Sequence, residues 1–285
     1  MISIIIRTYN EEKYLNELLK QIFNQNNKNF EVIIVDSGSN DNTLKIIKDY
    51  NIKLIKINKN DFSFGYSLNK GIENSNGDLC VFISGHCIPV NNEWLNDLIK
   101  PFEDEKVMLS YGRQIGVDSS KFSEIQIFKR WYPNNSNLNQ DNPFCNNANA
   151  CIRKKFWLKY YKYNETLTGL EDIDYGLKIL ENNYKIVYVS NSIVKHIHNE
   201  TFSQIKWRYE RESITYYKIN KNEHFYLNDF IKYFILNVFN DINQKNGYKN
   251  IISIILFRYN QFMGTFKGYK YIKNKRSLKN KFYWK

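Results

Sequence analysis

Two stretches near the start of the chain, ISIIIRTYNEE (residues 2–12) and FEVIIVDSGSNDNT (residues 30–43), decide the fold. Each begins as a run of β-branched and other apolar residues and ends in a polar turn. Between them, apolar residues recur at helical spacing from Leu15 to Phe23. Short apolar strands that alternate with a helix predict a βαβ unit and therefore a parallel sheet. Ligands of such sheets bind at the carboxyl ends of the strands, where both polar turns lie.

The alternation of strands and helices continues to about residue 106 and then decays. Residues 133–149 are rich in Asn and Pro, which predicts a long loop of the kind that often carries function. We therefore expect an α/β fold with a mixed, mainly parallel, Rossmann-like sheet flanked by helices. Residues 1–202 form the predicted sheet domain, and residues 203–285 form a helical extension.

The net charge of +12 is unevenly distributed along the 285 residues. Residues 203–285 hold 17 basic and 5 acidic side chains, which is the whole excess, whereas residues 1–202 are balanced. This asymmetry makes the extension a candidate for contact with an anionic surface. Nucleic acid is not an expected partner, because neither a polybasic first part nor a nucleic-acid-binding motif is present.

The four cysteines occur without a C-x-x-C pair, so they indicate reduced, buried thiols rather than a zinc site, as expected in the cytoplasm. The chain starts directly in a strand, which does not resemble a secretion signal. It also has no uninterrupted run of 18 apolar residues that would predict a membrane-spanning helix.

The turn after the second strand, Asp36-Ser37-Gly38-Ser39, is the strongest single indication of a ligand site. A carboxylate at a strand end can accept hydrogen bonds from a nucleobase or a ribose, and Gly38 lets the backbone approach the ligand. The alternative is a plain Asx-turn that leads into a helix N-cap.

Glu171 and Asp172 open an amphipathic helix. One carboxylate could act as a general base toward an acceptor hydroxyl while the other orients that acceptor. The alternative is that the pair only complements the helix dipole, which favours acids at this end.

His86, His196 and His198 are three of the four histidines in the chain. Imidazoles that converge with carboxylates can bind a divalent ion. Each of them could equally be a hydrogen-bonded residue of the scaffold at a strand end.

Taken together and in this order, the motifs resemble family 2 glycosyltransferases of the GT-A fold. The resemblance rests on residues 3–12, 35–43, 171–172 and 194–198. A rhamnosyltransferase-like subgroup of that family is resembled by further residues: Arg7, Ser84-Gly85-His86, Tyr111-Gly112-Arg113-Gln114 and Asn146-Asn147-Ala148-Asn149.

The resemblance implies inverting transfer of a sugar from a dTDP- or UDP-sugar to a hydroxyl of a glycan or lipid-linked acceptor, in surface polysaccharide synthesis. Asp172 would be the general base and Glu171 an acceptor-side ligand. The remaining implied roles concern the donor: Thr8, Tyr9, Glu11 and Asp36 would hold the nucleoside, Asn69 would lie near the base or ribose, and Ser84 and Arg113 would lie on the diphosphate side.

Residues 84–86 depart from the wider family, in which most members place a metal-binding Asp-x-Asp there. Here Ser84 and His86 occupy those positions. His86 could hold Mn²⁺ or Mg²⁺ together with His196 or His198. Alternatively, Arg113 or lysines could neutralise the diphosphate without a metal. The departure also permits a protein of this fold that binds a nucleotide sugar or glycan without catalysis.

The extension combines an apolar, aromatic segment from Leu227 to Phe239 with many lysines. We expect it to contact the inner face of the plasma membrane, because aromatic and basic side chains suit a headgroup interface. The alternative is a helical cap that packs on the sheet domain and leaves the lysines in water.

Overall fold

The computed structural model describes residues 1–272, which form eight strands and ten α-helices. The strands are β1 Ile2–Thr8, β2 Phe30–Asp36, β3 Lys53–Lys56, β4 Leu79–Ser84, β5 Cys87–Pro89, β6 Val107–Ile115, β7 Asn149–Arg153 and β8 Lys185–His196. The helices are α1 Leu15–Phe23, α2 Thr43–Ile47, α3 Phe64–Glu73, α4 Trp94–Ile99, α5 Phe122–Trp131, α6 Lys154–Lys159, α7 Glu171–Glu181, α8 Phe202–Ile219, α9 Leu227–Ile242 and α10 Ile251–Ile272.

All eight strands join one mixed sheet in the order β3-β2-β1-β4-β7-β6-β8-β5. Strands β1 to β4 are parallel, as are β6 and β8, whereas β7 runs antiparallel to both of its neighbours. The predicted mixed, mainly parallel α/β fold is therefore confirmed. The register places Thr8 opposite Asp36 and Arg7 opposite Ser84, so three carboxyl ends of strands meet at one edge.

Burial explains why the first strands and helix form. Ile4 and Ile6 of β1 are fully buried, as are Leu15 and Leu18 of α1, and they belong to one core cluster. The apolar side chains of α1 recur every three or four residues, so one side of the helix covers the sheet. A strand with nearly every side chain buried is typical of the centre of a parallel sheet.

Strand β7 brings a segment of the second half of the chain to this same edge. It pairs antiparallel with β4, so Asn149, its first residue, lies opposite Ile83 near the carboxyl end of β4. The residues just before β7 are consequently delivered to the edge where the polar turns lie. The sequence pattern did not predict β7 or the three-residue strand β5.

The chain forms two compact units, which follow space rather than chain order. The first contains residues 1–115, 131–166 and 171–197, and includes the whole sheet. The second contains residues 116–130, 167–170 and the chain from His198 onward. The boundary predicted after residue 202 stays a prediction, and it falls close to the last change of unit at His198.

Helices α5, α8 and α10 form the core of the second unit around Ile127, Ile205, Tyr209 and Phe257. Helix α8 begins with a capping box between Thr201 and Gln204. Helices are present throughout the described part of the predicted extension, whereas its last residues, with the basic run Lys273–Arg276, lie outside the described residues.

Candidate active site

The two opening turns form a single hydrogen-bonded structure at the carboxyl edge of the sheet. Thr8 Oγ1 donates to Asp36 Oδ2 at 2.9 Å, and the backbone N–H of Glu11 donates to Thr43 Oγ1 at 2.8 Å. The backbone N–H of Asn10 donates to Ser39 Oγ at 2.8 Å. Adjacent parallel strands and these hydrogen bonds thus hold both turns in fixed register.

Asp36 is 1% exposed and adopts the Asx-turn that the sequence offered as an alternative. Its Oδ1 accepts the backbone N–H groups of Gly38 and Ser39 at 3.0 and 2.9 Å. Gly38 has φ +92°, a left-handed conformation that favours glycine. Oδ2 of Asp36 accepts from Thr8 Oγ1 and from Ser39 Oγ at 2.5 Å, so all of the roughly four acceptor positions of the carboxylate are occupied. A nucleoside contact at Asp36 would have to displace one of these two hydroxyl donors.

Tyr9 extends this edge of the sheet beyond Thr8. Lys59 Nζ donates to the Tyr9 hydroxyl at 2.9 Å and lies 5.0 Å from the centre of the Tyr9 ring. An aromatic ring beside an ammonium group at this edge suits a planar base and its negatively charged phosphates.

Glu171 and Asp172 form a buried acidic pair at the start of α7, with exposures of only 4% and 9%. Glu171 Oε1 accepts from Arg7 Nη1 at 3.4 Å and from Asn147 Nδ2 at 3.3 Å. Asp172 accepts the backbone N–H of Asn147 at 3.4 Å and that of Ile173 at 2.9 Å. The loop before β7 and the central strand β1 therefore both position the pair.

Leu170, immediately before the pair, has φ +54°. A left-handed conformation is unusual for a residue with a branched side chain and carries strain. The chain turns sharply here, so both acids fall in the first turn of α7, where helix N–H groups have no internal partner. Strained backbone of this kind is commonly found at functional sites.

Burial raises the pKa of Asp172 to about 8, and repulsion from Glu171 acts in the same direction. Bonds from Ile173 and Asn147 and the positive charge of Arg7 oppose this change without cancelling it. A carboxyl group with a pKa near neutrality is a much stronger base than an ordinary aspartate. It marks Asp172 as a candidate for proton transfer.

His86 and His196 lie together in the first unit, with their rings stacked at 5.2 Å. His86 Nδ1 bonds to Glu11 Oε1 at 2.8 Å, and His196 Nδ1 bonds to Gln114 Oε1 at 2.6 Å. Both partners are oxygen acceptors, so in the neutral imidazole Nδ1 carries the proton and Nε2 carries the lone pair that can bind a metal. Histidines that bind metals are commonly oriented in this way by a second oxygen partner.

Gly85 is needed for the contact between Glu11 and His86. A Cβ atom at position 85 would lie 2.7 Å from Cγ and 3.0 Å from Cδ of Glu11. Glycine therefore lets Glu11 cross the turn and reach the imidazole. The resemblance placed Glu11 among the nucleoside ligands, but in the structure its carboxylate orients His86.

His198 belongs to the second unit, unlike the other two histidines. Its Nδ1 bonds to Glu124 Oε1 at 2.8 Å, and Arg208 Nη2 donates to the same oxygen at 3.1 Å. Within that unit, His198 and Arg208 thus both contact the buried carboxylate of Glu124. Its assignment as a metal ligand stays a prediction.

Asn69, which the resemblance placed near the base or ribose, is held by four hydrogen bonds, and its contact with the donor stays a prediction. Its Nδ2 donates to the Tyr163 carbonyl at 2.9 Å and to Glu165 Oε1 at 2.8 Å. Its Oδ1 accepts from Trp157 Nε1 at 2.8 Å and from the Tyr163 N–H at 3.1 Å. The buried amide is thus fully hydrogen-bonded and fixes α3 to α6 and the segment after it.

Ser84 and Arg113 remain candidates on the diphosphate side. Ser84 ends β4 beside Arg7 and is half-buried. Arg113 is half-buried on β6, and its buried Nε has no hydrogen-bond partner within the described residues. A buried guanidinium N–H without a partner is costly, so an anion near Arg113 would satisfy it.

Three site residues were missed as functional contacts from the sequence: Arg7, Asn147 and Gln114. Arg7 was identified only as a mark of the subgroup, yet it is the cationic partner of Glu171 and also lies 5.0 Å from the Phe64 ring. Asn147 and Gln114 belong to the motifs at residues 146–149 and 111–114, and membership of those motifs was the one indication in the sequence that they could contribute to the site. The spacing of residues within these motifs does not indicate that Asn147 contacts Glu171 or that Gln114 contacts His196.

Residues 3–161 match the family model described as "Glycosyl transferase family 2". The chain belongs to glycosyltransferase family 2. The predicted family is therefore confirmed. A Methanococcus voltae dolichyl N-acetyl-alpha-D-glucosaminyl phosphate 3-beta-D-2,3-diacetamido-2,3-dideoxy-beta-D-glucuronosyltransferase is 29% identical over 235 residues, covering 75% of this chain and 71% of that protein.

Another relative of this family 2 chain is an O-antigen chain rhamnosyltransferase of Salmonella typhimurium, 25% identical over 211 residues, covering 70% of this chain and 67% of the relative. Among solved structures, a mannosyltransferase from Pyrobaculum calidifontis in complex with GDP-Man and Mn²⁺ matches with a TM-score of 0.61. The identity is 14%, and the match covers 89% of this chain and 72% of that one. The sheet and its flanking helices thus have the GT-A fold. None of the helices within residues 1–272 is both long and apolar enough to cross a bilayer.

Proposed function

We propose that this protein is an inverting glycosyltransferase that moves a sugar from a nucleoside diphosphate donor to an acceptor hydroxyl in surface polysaccharide synthesis. The observation that carries the proposal is the buried pair Glu171 and Asp172 at the donor edge, with the pKa of Asp172 raised to about 8. An acid kept partly protonated near pH 7 needs a chemical reason, and proton transfer supplies one.

In the proposed reaction Asp172 takes the proton of the acceptor hydroxyl as its oxygen attacks the anomeric carbon. The bond between that carbon and the diphosphate breaks from the opposite side, so the configuration inverts. The nucleoside diphosphate leaves with the bonding electron pair. No covalent intermediate with the protein is needed, because a single base and a stabilised leaving group suffice.

Glu171 has the supporting role in this proposal. Arg7 Nη1 lies 3.4 Å from Glu171 Oε1, and its positive charge opposes the accumulation of two negative charges in a buried site. The amide of Asn147 contacts both acids, one through its side chain and one through its backbone. We infer that Glu171 orients the acceptor while Arg7 and Asn147 hold the two carboxylates apart.

The donor would lie along the two joined turns. Thr8, Tyr9 and Asp36 would receive the nucleoside, and Ser84 and Arg113 would face the diphosphate. A dTDP- or UDP-sugar is the proposed donor, and a glycan or lipid-linked glycan is the proposed acceptor. The named activities of the relatives support transfer to glycans in a general way.

The donor set formed by His86 and His196 fits a divalent metal. Two neutral imidazoles favour a transition metal over Mg²⁺, which prefers oxygen ligands, and the Mn²⁺ of the Pyrobaculum structure is consistent with this preference. Bound there, Mn²⁺ would neutralise charge on the diphosphate. Glu11 and Gln114 would then keep both Nε2 atoms directed at the ion.

Asp172→Asn tests the proposed role of the base. Loss of a general base lowers the rate by about 10²- to 10⁴-fold, so transfer and donor hydrolysis should fall by that factor. Donor binding, followed as a rise in melting temperature with dTDP-, UDP- and GDP-sugars, should persist. The exposed Asp118→Asn is the matched control. Undiminished turnover in Asp172→Asn would refute the assignment.

The absence of a carboxylate at residues 84–86 favours one alternative, a binding protein of the same fold without catalysis. That alternative predicts donor binding with no hydrolysis or transfer in the unmodified protein at any metal concentration. His86→Ala tests whether a histidine-bound metal assists the reaction. An unchanged Mn²⁺ dependence of activity in this variant would exclude His86 as a metal ligand. We further propose a cytoplasmic protein whose basic extension contacts the membrane.

A further inference from the structure

Helices α9 and α10 of the second unit carry an exposed apolar surface, here called the hairpin face. Among residues 1–272, 13 of the 19 exposed large apolar side chains fall between Tyr226 and Tyr259. Scattered apolar residues on a surface are ordinary, but such a concentration marks a site of interaction. The hairpin face is defined by Ile231, Ile235, Phe239, Ile252, Leu256 and Tyr259, of which Ile252 is 77% and Phe239 is 63% exposed.

Helix α9 has two apolar sides, and only one of them is covered. Phe230 and Phe234 turn toward α10, where their rings lie 6.1 and 6.5 Å from the Tyr259 ring. Ile231 and Ile235, one position further along in each case, remain exposed. An apolar side of a helix is normally buried against another element. The uncovered side therefore needs an occupant.

The hairpin face rests on a firm support. Asp241 of α9 and Arg258 of α10 form a buried two-point ion pair, with Nε–Oδ2 at 2.7 Å and Nη2–Oδ1 at 2.8 Å. Arg258 Nη1 also donates to Gln261 Oε1 at 2.8 Å. Gly264 and Gly268 let α10 approach α8 closely, since a Cβ at either position would meet the backbone of α8. The exposure is thus a property of a packed structure and not of a frayed end.

Charge identifies the occupant. Helices α9 and α10 hold two acids: Asp241 is paired with Arg258, and Asp229 accepts the backbone N–H of Tyr226. The chain after α10, residues 273–285, adds six basic residues and no acid. A second copy would set these cations against each other, whereas an anionic surface attracts them. The exposed cations on the two helices are Lys232, Lys267 and Lys270, and Lys245 and Lys249 are exposed in the segment that connects them.

We propose that the hairpin face inserts into the interfacial layer of an anionic lipid membrane. Helices α9 and α10 lie along the surface, the isoleucines and Phe239 enter the acyl boundary, and the lysines meet the lipid phosphates. Amphipathic helices with apolar and basic sides bind membranes in this manner without crossing them. This inference rests on the membrane contact proposed above for the extension and adds which residues make it and which lipid they meet; it is independent of the donor and of the base.

The test measures binding of the full chain to vesicles of phosphatidylcholine alone and with about 30% phosphatidylglycerol, an anionic content in the range of natural membranes. The unmodified chain should bind the anionic vesicles, and Ile231→Asp combined with Ile252→Asp should weaken binding about tenfold or more. Leu158→Asp, at a 66% exposed leucine of α6, is the control and should bind normally. Added salt should weaken binding without abolishing it, because the apolar part is not screened.

Three results would overturn the proposal. The unmodified chain fails to bind either vesicle, or the double variant binds as well as the unmodified chain. In the third, the unmodified chain is a dimer that the double variant converts to a monomer, which assigns the hairpin face to a second copy. Melting temperatures of all variants should agree, because exposed side chains are replaced. Donor hydrolysis without vesicles should also be unchanged, so a failure here is distinct from a failure of the proposed reaction.

Discussion

Replacing Asp172 with asparagine should stabilise the protein at alkaline pH while it removes activity. Burial holds the pKa of Asp172 at about 8 in the folded protein, whereas in an unfolded chain it is about 3.9. Between these values the folded state keeps a proton that the unfolded state has lost, so the free energy of unfolding falls as pH rises. This stabilising contribution is fully present below pH ~4 and is lost as pH rises through about 8. Asparagine carries no such proton.

The size of the effect follows from the slope of about 1.4 kcal/mol for each pH unit. Between pH 6 and pH 8 the unmodified protein should lose about 2 kcal/mol of unfolding free energy relative to Asp172→Asn. For a chain of this size, that is a difference in melting temperature of roughly 4 to 8 °C. The amide also leaves one N–H near Asp172 less well bonded, but this cost does not depend on pH.

Thermal unfolding at pH 6, 7 and 8 measures the effect for the unmodified protein and for Asp172→Asn. Asp118→Asn, at an exposed position, should follow the unmodified protein at every pH. The gap between Asp172→Asn and the unmodified protein should widen steadily with pH. An equal gap at pH 6 and pH 8 would refute the argument, because Asp172 would then ionise in the folded protein as it does in the unfolded chain.

Three further perturbations test the surroundings of the site and the support of the hairpin. Arg7→Met removes a positive charge that lowers the pKa of Asp172, so the acidic limb of the kcat/KM profile should move up by about one pH unit or more; an unmoved limb would separate Arg7 from the base. Gly85→Ala should displace Glu11 from His86 and raise the Mn²⁺ concentration for half-maximal activity by about tenfold or more, and equal Mn²⁺ titrations would show that the contact is dispensable. Asp241→Ala leaves Arg258 buried without its partner and should cost about 3 to 5 kcal/mol in urea unfolding; a cost below about 1 kcal/mol would mean the pair is solvated.

The first half of the fold was predictable because its strands are short, apolar and separated by amphipathic helices. Strands β1 and β2 and helix α1 follow directly from that pattern, and their register brings the two turns together. Strand β7 escaped prediction because NACIR (residues 149–153) mixes polar and apolar residues and follows a polar loop. Its position between β4 and β6 depends on long-range pairing that no local periodicity records.

The site divides in the same way. The acidic pair was identifiable as a motif, but the contacts that give it its properties join residues far apart in the chain. Glu11 and His86 are 75 residues apart, and Arg7 and Glu171 are 164 apart. The contacts of Asn69 were equally hidden from the sequence, since the four hydrogen bonds of its amide involve residues near position 160. The family resemblance indicated which residues belong to the site, whereas their hydrogen-bond partners could be identified only from the folded structure.

The distance in sequence between Arg7 and Glu171 also bears on how the protein is made. As the chain leaves the ribosome, β1 can pair with β2 and β4 once residue 84 has emerged, and both opening turns can then form. The guanidinium on β1 must wait for α7 before it meets its carboxylate. A nascent chain that stops near residue 161, where the family match ends, would contain both opening turns. It would lack Asp172, the proposed general base. Emergence of α7 is therefore the step at which a nucleotide-binding fold becomes a candidate enzyme.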